Sequence, residues 1–286
     1  MRFHLDTAEI FVPDGLPADA ALERTTHLGV GAHQDDLEIM ALHGILECFQ
    51  REDRWFSGVV VTDGSGSPRD GAYRDYTDEQ MRSVRRTEQT KAAVVGEYAA
   101  QVLLDHPSGA VKDPAGLGVV EDLRRVLAAS LPQIVYTHNL ADKHDTHVAV
   151  ALRVVEALRG LKPVERPQRL YGCEVWRDLD WLSDSEKVAF DVSPHENLQA
   201  ALLGVFDSQI AGGKRYDLAT LGRRRANATY HASHGVDLTT GTIFAMDLTP
   251  LIVNPDLRPG DFIQHFIDGF RKEIGDRLLR LGDPPR

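Results

Sequence analysis

The stretch "VGAHQDDLEIM" (residues 30–40) decides how the chain folds. An apolar run, Leu28-Gly29-Val30-Gly31-Ala32, stops at His33. Asp35 and Asp36 follow, and an apolar pattern of helical spacing then begins at Leu37. The segment therefore reads as a buried strand passing into a buried helix. An imidazole and two carboxylates stand at the junction, where removing charge from water is most costly. Something must offset that cost.

Outward from this junction, short apolar runs alternate with amphipathic stretches. "HLGVGAH" (27–33) reads as a strand and "DLEIMALHGILECFQRE" (36–52) as a helix. "FSGVVVTD" (56–63), rich in β-branched residues, is a second strand. The turn-forming "GSGSPRDGAYRDY" (64–76) reads as a mobile loop. Thr77 with Gln80 forms a capping box that opens a helix running to about Glu97. "AQVLLDH" (100–106) and "PQIVYTHN" (132–139) are further strands, with a helix over about 113–130 between them and "HDTHVAVALRVVEALR" (144–159) as a helix after them. This alternation predicts an α/β fold, a Rossmann-like, mostly parallel sheet with helices on both faces.

The first 25 or so residues, with Pro13, Gly15 and Pro17, read as an irregular lead-in. In the second half "QRLYGCEVW" (168–176) and "KVAFDV" (187–192) are expected strands. Ser193 with Glu196 suggests another capping box, followed by helices over about 195–211 and 214–229, a strand near 241–248 and a helix over 259–281. Repeats and low-complexity linkers are lacking. The expectation is one domain over 1–286, with a core at 27–160 and a C-terminal elaboration at 165–286 that shapes the substrate pocket.

Apolar residues make up 42% and charged residues 26% of the chain, as in a protein with a true core. A formal charge of −11 argues against nucleic acid as a partner. Cys48 and Cys173 show no metal-knuckle spacing and fit buried thiols in a reducing, cytoplasmic setting. No run is long and apolar enough to span a bilayer, and the first residues lack an apolar signal region.

In an open parallel sheet, ligands sit beyond the carboxyl ends of the strands. Both unusual polar clusters fall at such ends: His33-Gln34-Asp35-Asp36 after the first core strand, and His144-Asp145-Thr146-His147 after the fourth. The i, i+3 spacing lets each pair point at one place. Imidazoles and carboxylates without thiols suit Zn²⁺ or another divalent metal. A hydrolytic site also needs a base that does not bind the ion, and Asp35 is the candidate. Either cluster alone admits a plainer reading, as helix-surface histidines or as first-turn carboxylates that complement a helix dipole. Their pairing at one sheet edge favours the metal site.

Here the sequence resembles the PIG-L/LmbE-like zinc-dependent deacetylases. Ala32-His33-Gln34-Asp35-Asp36-Leu37-Glu38 is similar to that family's AHxDDxE motif, with Gln34 in place of the usual proline. His144-Asp145-Thr146-His147 resembles its HPDH motif in the histidines, though Asp-Thr replaces the interior Pro-Asp. "VVVTDG" (59–64) and the Arg85/Glu88 pair resemble its second strand and its R-x-x-E helix. The resemblance spans about 27–160. It implies that His33, Asp36 and His147 hold Zn²⁺, that Asp35 is the general base, and that His144 assists the tetrahedral intermediate or leaving amine. It implies hydrolysis of the acetyl amide of an N-acetylated amino sugar, such as N-acetylglucosamine, or of a glycoconjugate. Arg85 is its candidate for substrate contact, with a helix-surface arginine paired to Glu88 or Glu79 as the other reading.

Asp63 ends a strand at the same edge, where it can orient substrate or simply form an Asp-Gly turn. Asp142 is a candidate to support a ligand imidazole, and His138 reads as a solvated loop residue. The segment 208–235 combines Gln209, Lys214, Tyr216 and Arg223–Arg225 with His231 and His234. It suits a sugar- or carboxylate-binding wall or a subunit contact, although each of the three arginines by itself reads as part of a solvated helix face. Gly29-Val30-Gly31 lacks the third glycine of a dinucleotide turn, so nucleotide binding is not expected. The remaining readings are a metal-dependent amidase for a non-sugar amide and a non-catalytic sugar-binding relative. Assembly into a homo-oligomer is left open by the sequence.

Overall fold

A computed structural model describes residues 1–283. The strands are β1 (Glu9–Phe11), β2 (His27–Gly31), β3 (Phe56–Thr62), β4 (Ala100–His106), β5 (Ile134–His138), β6 (Arg169–Cys173), β7 (Val188–Asp191) and β8 (Thr242–Asp247). They form one eight-stranded sheet in the order β1-β4-β3-β2-β5-β6-β8-β7. Strands β4, β3, β2, β5 and β6 are parallel, while β1 joins β4 and β8 joins β6 antiparallel. β7 then pairs antiparallel with β8. The expected α/β architecture is thus present. β6, β7 and β8 extend the same sheet, so the second half of the chain is built onto the core.

The helices are α1 (Ala18–Glu23), α2 (Asp36–Met40), α3 (Leu42–Cys48), α4 (Asp78–Val95), α5 (Ser108–Lys112), α6 (Leu117–Ser130), α7 (Asp145–Arg159), α8 (Glu196–Gly204), α9 (Asp207–Ile210), α10 (Tyr216–Tyr230), α11 (Thr249–Val253) and α12 (Pro259–Arg280). None is long and apolar enough to cross a membrane. The central strands are buried on both faces, and successive side chains enter different cores. Val59 and Val61 meet Leu123, Leu127 and Val154 on one face. Phe56 and Val60 meet Leu37, Ile45 and Tyr136 on the other.

Strand order reverses at β2: β3 and β4 lie to one side, β5 and β6 to the other. That switch point is where a parallel sheet opens a crevice. The glycines around it serve packing. A Cβ on Gly29 would stand 2.9 Å from Leu37 Cδ2, and one on Gly58 would stand 2.6 Å from Leu37 Cδ1. The bare backbone lets α2 press Leu37 onto the sheet, which fixes where Asp35 and Asp36 emerge.

Several local expectations shift. The helix expected over 36–52 is two helices broken at Ala41, and the one expected over 113–130 begins only at Leu117 as α6, with the short α5 preceding it. The lead-in carries α1 and also β1, whose pairing with β4 covers an otherwise open sheet edge. The Thr77/Gln80 capping box forms, whereas Ser193 caps no helix. Its hydroxyl donates to Asp191 Oδ1 at 2.5 Å and closes a turn after β7, and α8 starts beyond His195. Cys48 and Cys173 are buried free thiols, and burial pushes the Cys48 thiol up to about 12.

Candidate metal centre and cleft

The two junctions meet at the switch point. His33 and Asp36 follow β2, and His144 and His147 open α7 after β5. His33 Nδ1 lies 3.4 Å from Asp36 Oδ2 and 3.2 Å from His147 Nε2, and His147 Nε2 lies 3.5 Å from Asp36 Oδ1. Four ligand-type atoms on three side chains thus lie within 3.2–3.5 Å of a neighbour in the group.

His138 corrects the sequence reading. It is no solvated loop residue but the fully buried last residue of β5, with Nε2 3.3 Å from Asp36 Oδ2. That nitrogen accepts the Ala32 N–H at 2.9 Å, so its lone pair is already engaged. The signal was present in the sequence, since His138 also stands at a strand's carboxyl end. The ring of His144 stacks on that of His147 at 4.5 Å and meets His33 edge-on at 5.0 Å.

The electrostatics suit a cation. Burial alone would raise the Asp36 carboxyl, but His147 and His138 outweigh it and hold the group well below the ordinary carboxylate range. Burial lowers His147 to about 4, so its imidazole is neutral, the form that binds metal. Two imidazole nitrogens and a carboxylate are a donor set that zinc accepts, with a position left for water. Asp142 stands behind His147, with Oδ1 3.6 Å from Nδ1. Its carboxylate also accepts the N–H groups of His144 at 2.9 Å and Trp176 at 3.0 Å, tying the α7 start to the chain after β6.

Asp35 borders the same cleft but pairs with none of the imidazoles within 4.0 Å. Its backbone is left-handed, φ 94°, a strained conformation for a residue with a side chain, held by the Asp35 N–H donating to Gln89 Oε1. Burial raises its carboxyl to about 6 against the pull of Arg85. The Arg85 guanidinium donates to Asp35 Oδ2 at 3.1 Å, to Glu88 Oε2 at 3.2 Å and to the Gln34 carbonyl. Glu88 in turn accepts the Ser208 N–H at 2.6 Å and hydroxyl at 2.7 Å. Arg85 is only 1% exposed, so it is no helix-surface arginine, and it borders the cleft with its guanidinium already engaged. Asp63 does not border the cleft. Its Oδ1 accepts the Ser65 N–H and hydroxyl and shapes the turn.

The centre opens into a cleft of about 800 Å³. Its floor includes His33, Asp35, Asp36 and His144, and its walls include Trp176, Lys214, Tyr216 and Arg223 from the second half. The sequence singled out all of these wall residues except Trp176. The arginine run divides by face. Arg223 borders the cleft and donates to the Val175 carbonyl, and Arg225 is exposed beside Glu196. Arg224, 3% exposed, donates to the Glu38 carbonyl at 2.7 Å and to Gln199 Oε1 at 3.1 Å. The solvated reading therefore fails for Arg224: the backbone carbonyls at the end of a short helix needed a donor that only a distant residue supplies.

This geometry defines a Rossmann-like α/β protein with a His/Asp centre at the sheet's switch point. Residues 28–158 match the family model described as PIG-L: GlcNAc-PI de-N-acetylase, so the motif-bearing part of the chain is similar to that family. Similar solved structures include N,N'-diacetylchitobiose deacetylase from Pyrococcus horikoshii, with TM-score 0.59 and 16% identity over 77% of this chain and 83% of that one. GalB, the 4-carboxy-2-hydroxymuconate hydratase from Pseudomonas putida, gives TM-score 0.58 and 15% identity over 78% and 96%. The A40926 pseudoaglycone deacetylase Dbv21 gives 0.55 and 16% over 78% and 97%. At such identities the likeness is one of fold, and these folds carry both deacetylases and a hydratase. A search of curated proteins finds no match.

Proposed function

We propose that the protein is a metal-dependent N-deacetylase acting on an N-acetylated amino sugar or glycoconjugate, with Zn²⁺ the ion that best suits the donors. The observation that carries this reading is the convergence of His33 Nδ1, the Asp36 carboxylate and His147 Nε2 within 3.2–3.5 Å of one another, beside a second carboxylate, Asp35, that Arg85 holds. A divalent ion held by these atoms supplies Lewis-acid polarisation of an acyl carbonyl and a more acidic water.

The chain's own groups perform the rest. Asp35, borne on a strained backbone and fixed by Arg85, takes the proton from the attacking water. Arg85 acts on Asp35 and the Gln34 carbonyl, which makes it a positioning group. His144 borders the same cleft, and its burial favours the neutral imidazole, whose N–H stabilises negative charge developing on the acyl oxygen. The tetrahedral intermediate then breaks its C–N bond as the leaving nitrogen takes back the proton held by Asp35, which releases the amine and acetate.

Metal analysis of the purified protein and of Asp35→Asn, with acetate release measured over a panel of N-acetyl amino sugars, tests the reading. One ion per chain in both forms, with acetate released by the wild type alone, is expected. A protein that takes up no divalent metal overturns the centre. Equal turnover in the two forms removes Asp35 as base. Metal retention without acetate release from any sugar points to a non-sugar amide or to a binding protein.

A further inference from the structure

The chain contains seven lysines, and three of them, Lys112, Lys143 and Lys214, border the one cleft that holds the metal centre. They come from separate segments: the end of α5 after β4, the loop between β5 and α7, and the loop before α10. Lys162, Lys187 and Lys272 each pair with a carboxylate at 2.6–3.0 Å. Among the described residues, no carboxylate oxygen lies within 4.0 Å of the three cleft ammonium groups.

The acids that border the cleft are already engaged. Asp36 faces imidazoles and Asp35 faces Arg85. Glu174 accepts hydrogen bonds from Asn227 and from the Phe244 and Leu179 N–H groups. In a chain of net charge −11 the long-range field repels anions, so unneutralised lysines at the cleft are groups that can draw one there. Lys214 Nζ also stands 5.2 Å from the Trp176 ring centroid, which sets a cation beside an aromatic wall.

We infer that the substrate carries an anionic group, a phosphate or a carboxylate, which Lys112, Lys143 and Lys214 hold while the N-acyl sugar occupies the cleft. This rests on the deacetylase reading and narrows it to acidic N-acyl sugars. Three point charges on flexible stems suit a group recognised by charge more than by shape.

The test compares metal-loaded wild type with the Lys112→Gln/Lys143→Gln/Lys214→Gln variant on three substrates: methyl N-acetylglucosaminide, N-acetylglucosamine 6-phosphate and N-acetylmuramic acid. Lys91→Gln, on α4 and away from the cleft, is the control. Wild-type kcat/KM is expected to favour an acidic substrate by roughly tenfold, the combined effect of partly exposed charge contacts. Salt should shrink the preference and the triple variant should abolish it, chiefly through KM, while Lys91→Gln retains it. The phosphate and carboxylate substrates separate the two sources of charge. Equal kcat/KM for neutral and acidic sugars, or a preference that survives the triple variant, overturns the inference.

Calorimetry with glucosamine and glucosamine 6-phosphate keeps the two readings apart. If no sugar releases acetate, yet the phosphorylated amine binds wild type more tightly than the triple variant, the anion site stands and the deacetylase reading falls. Acetate release combined with equal binding of both amines overturns the lysine assignment alone.

Discussion

Between residues 27 and 160 the chemistry stands where strands end: His33, Asp35 and Asp36 follow β2, and His144 and His147 follow β5. Between 165 and 283 the same cleft is bordered by Trp176, Lys214, Tyr216 and Arg223, which share no short motif and lie on loops and one helix. Coordination demands atoms placed to within a few tenths of an ångström, and the ends of packed parallel strands supply that rigidity. A wall that selects among substrates needs only a suitable surface. One region therefore concentrates its chemistry in a few adjacent positions, and the other scatters it.

The sharpest way to break this contrast is at the centre. His147→Ala should remove stoichiometric metal and lower kcat by about 10⁴-fold or more, as expected when Lewis-acid catalysis worth several kcal/mol is lost. Metal analysis and acetate release check both. Asp35→Asn should keep the metal and lower kcat by about 10²–10⁴-fold, the usual contribution of a general base. Retained metal is what distinguishes the two variants.

The next effect crosses between the regions. Arg224→Met should destabilise the protein by about 3 kcal/mol in urea unfolding, because the Glu38 carbonyl and Gln199 would lose a charged donor in a buried site. A smaller loss would mean that the second half leans on the core without bracing it. His27 reports on the core alone. Burial lowers it to about 4 from an ordinary 6.5, so the folded state favours the neutral ring. Its contribution is complete above pH 6.5 and is lost as pH falls from 6.5 towards 4, where the unfolded chain takes up the proton first. Between pH 7 and 5 that amounts to about 2 kcal/mol. The stability gap between wild type and His27→Gln should close over this interval. The smallest expected effect is in the wall: Trp176→Ala should raise KM roughly tenfold while metal content holds, as loss of an aromatic contact implies.

Much of the core was legible because its signals are local. Alternation of apolar runs gave β2 to β5, and the Thr77/Gln80 box marks the observed start of α4. β1, three residues long, carries too little pattern to be read and exists through its pairing with β4. Gln34, the departure from the family motif, stands between His33 and Asp35 just after β2. It is also buried, donating to the Thr62 carbonyl at 3.2 Å beneath the Gly64 turn.

The sequence by itself determined the α/β alternation and brought His33, Asp35, Asp36, His144 and His147 forward, because hydrophobic period and i, i+3 spacing are properties of neighbouring residues. Only the tertiary structure decided which way each side chain faces. Asp36 turns to the imidazoles and Asp35 to Arg85; His138 lies in the core, and Arg224 is drawn inward to the Glu38 carbonyl. Those outcomes depend on contacts between residues up to 186 positions apart, where burial makes an unpaired polar group costly and no local pattern records which partner it takes.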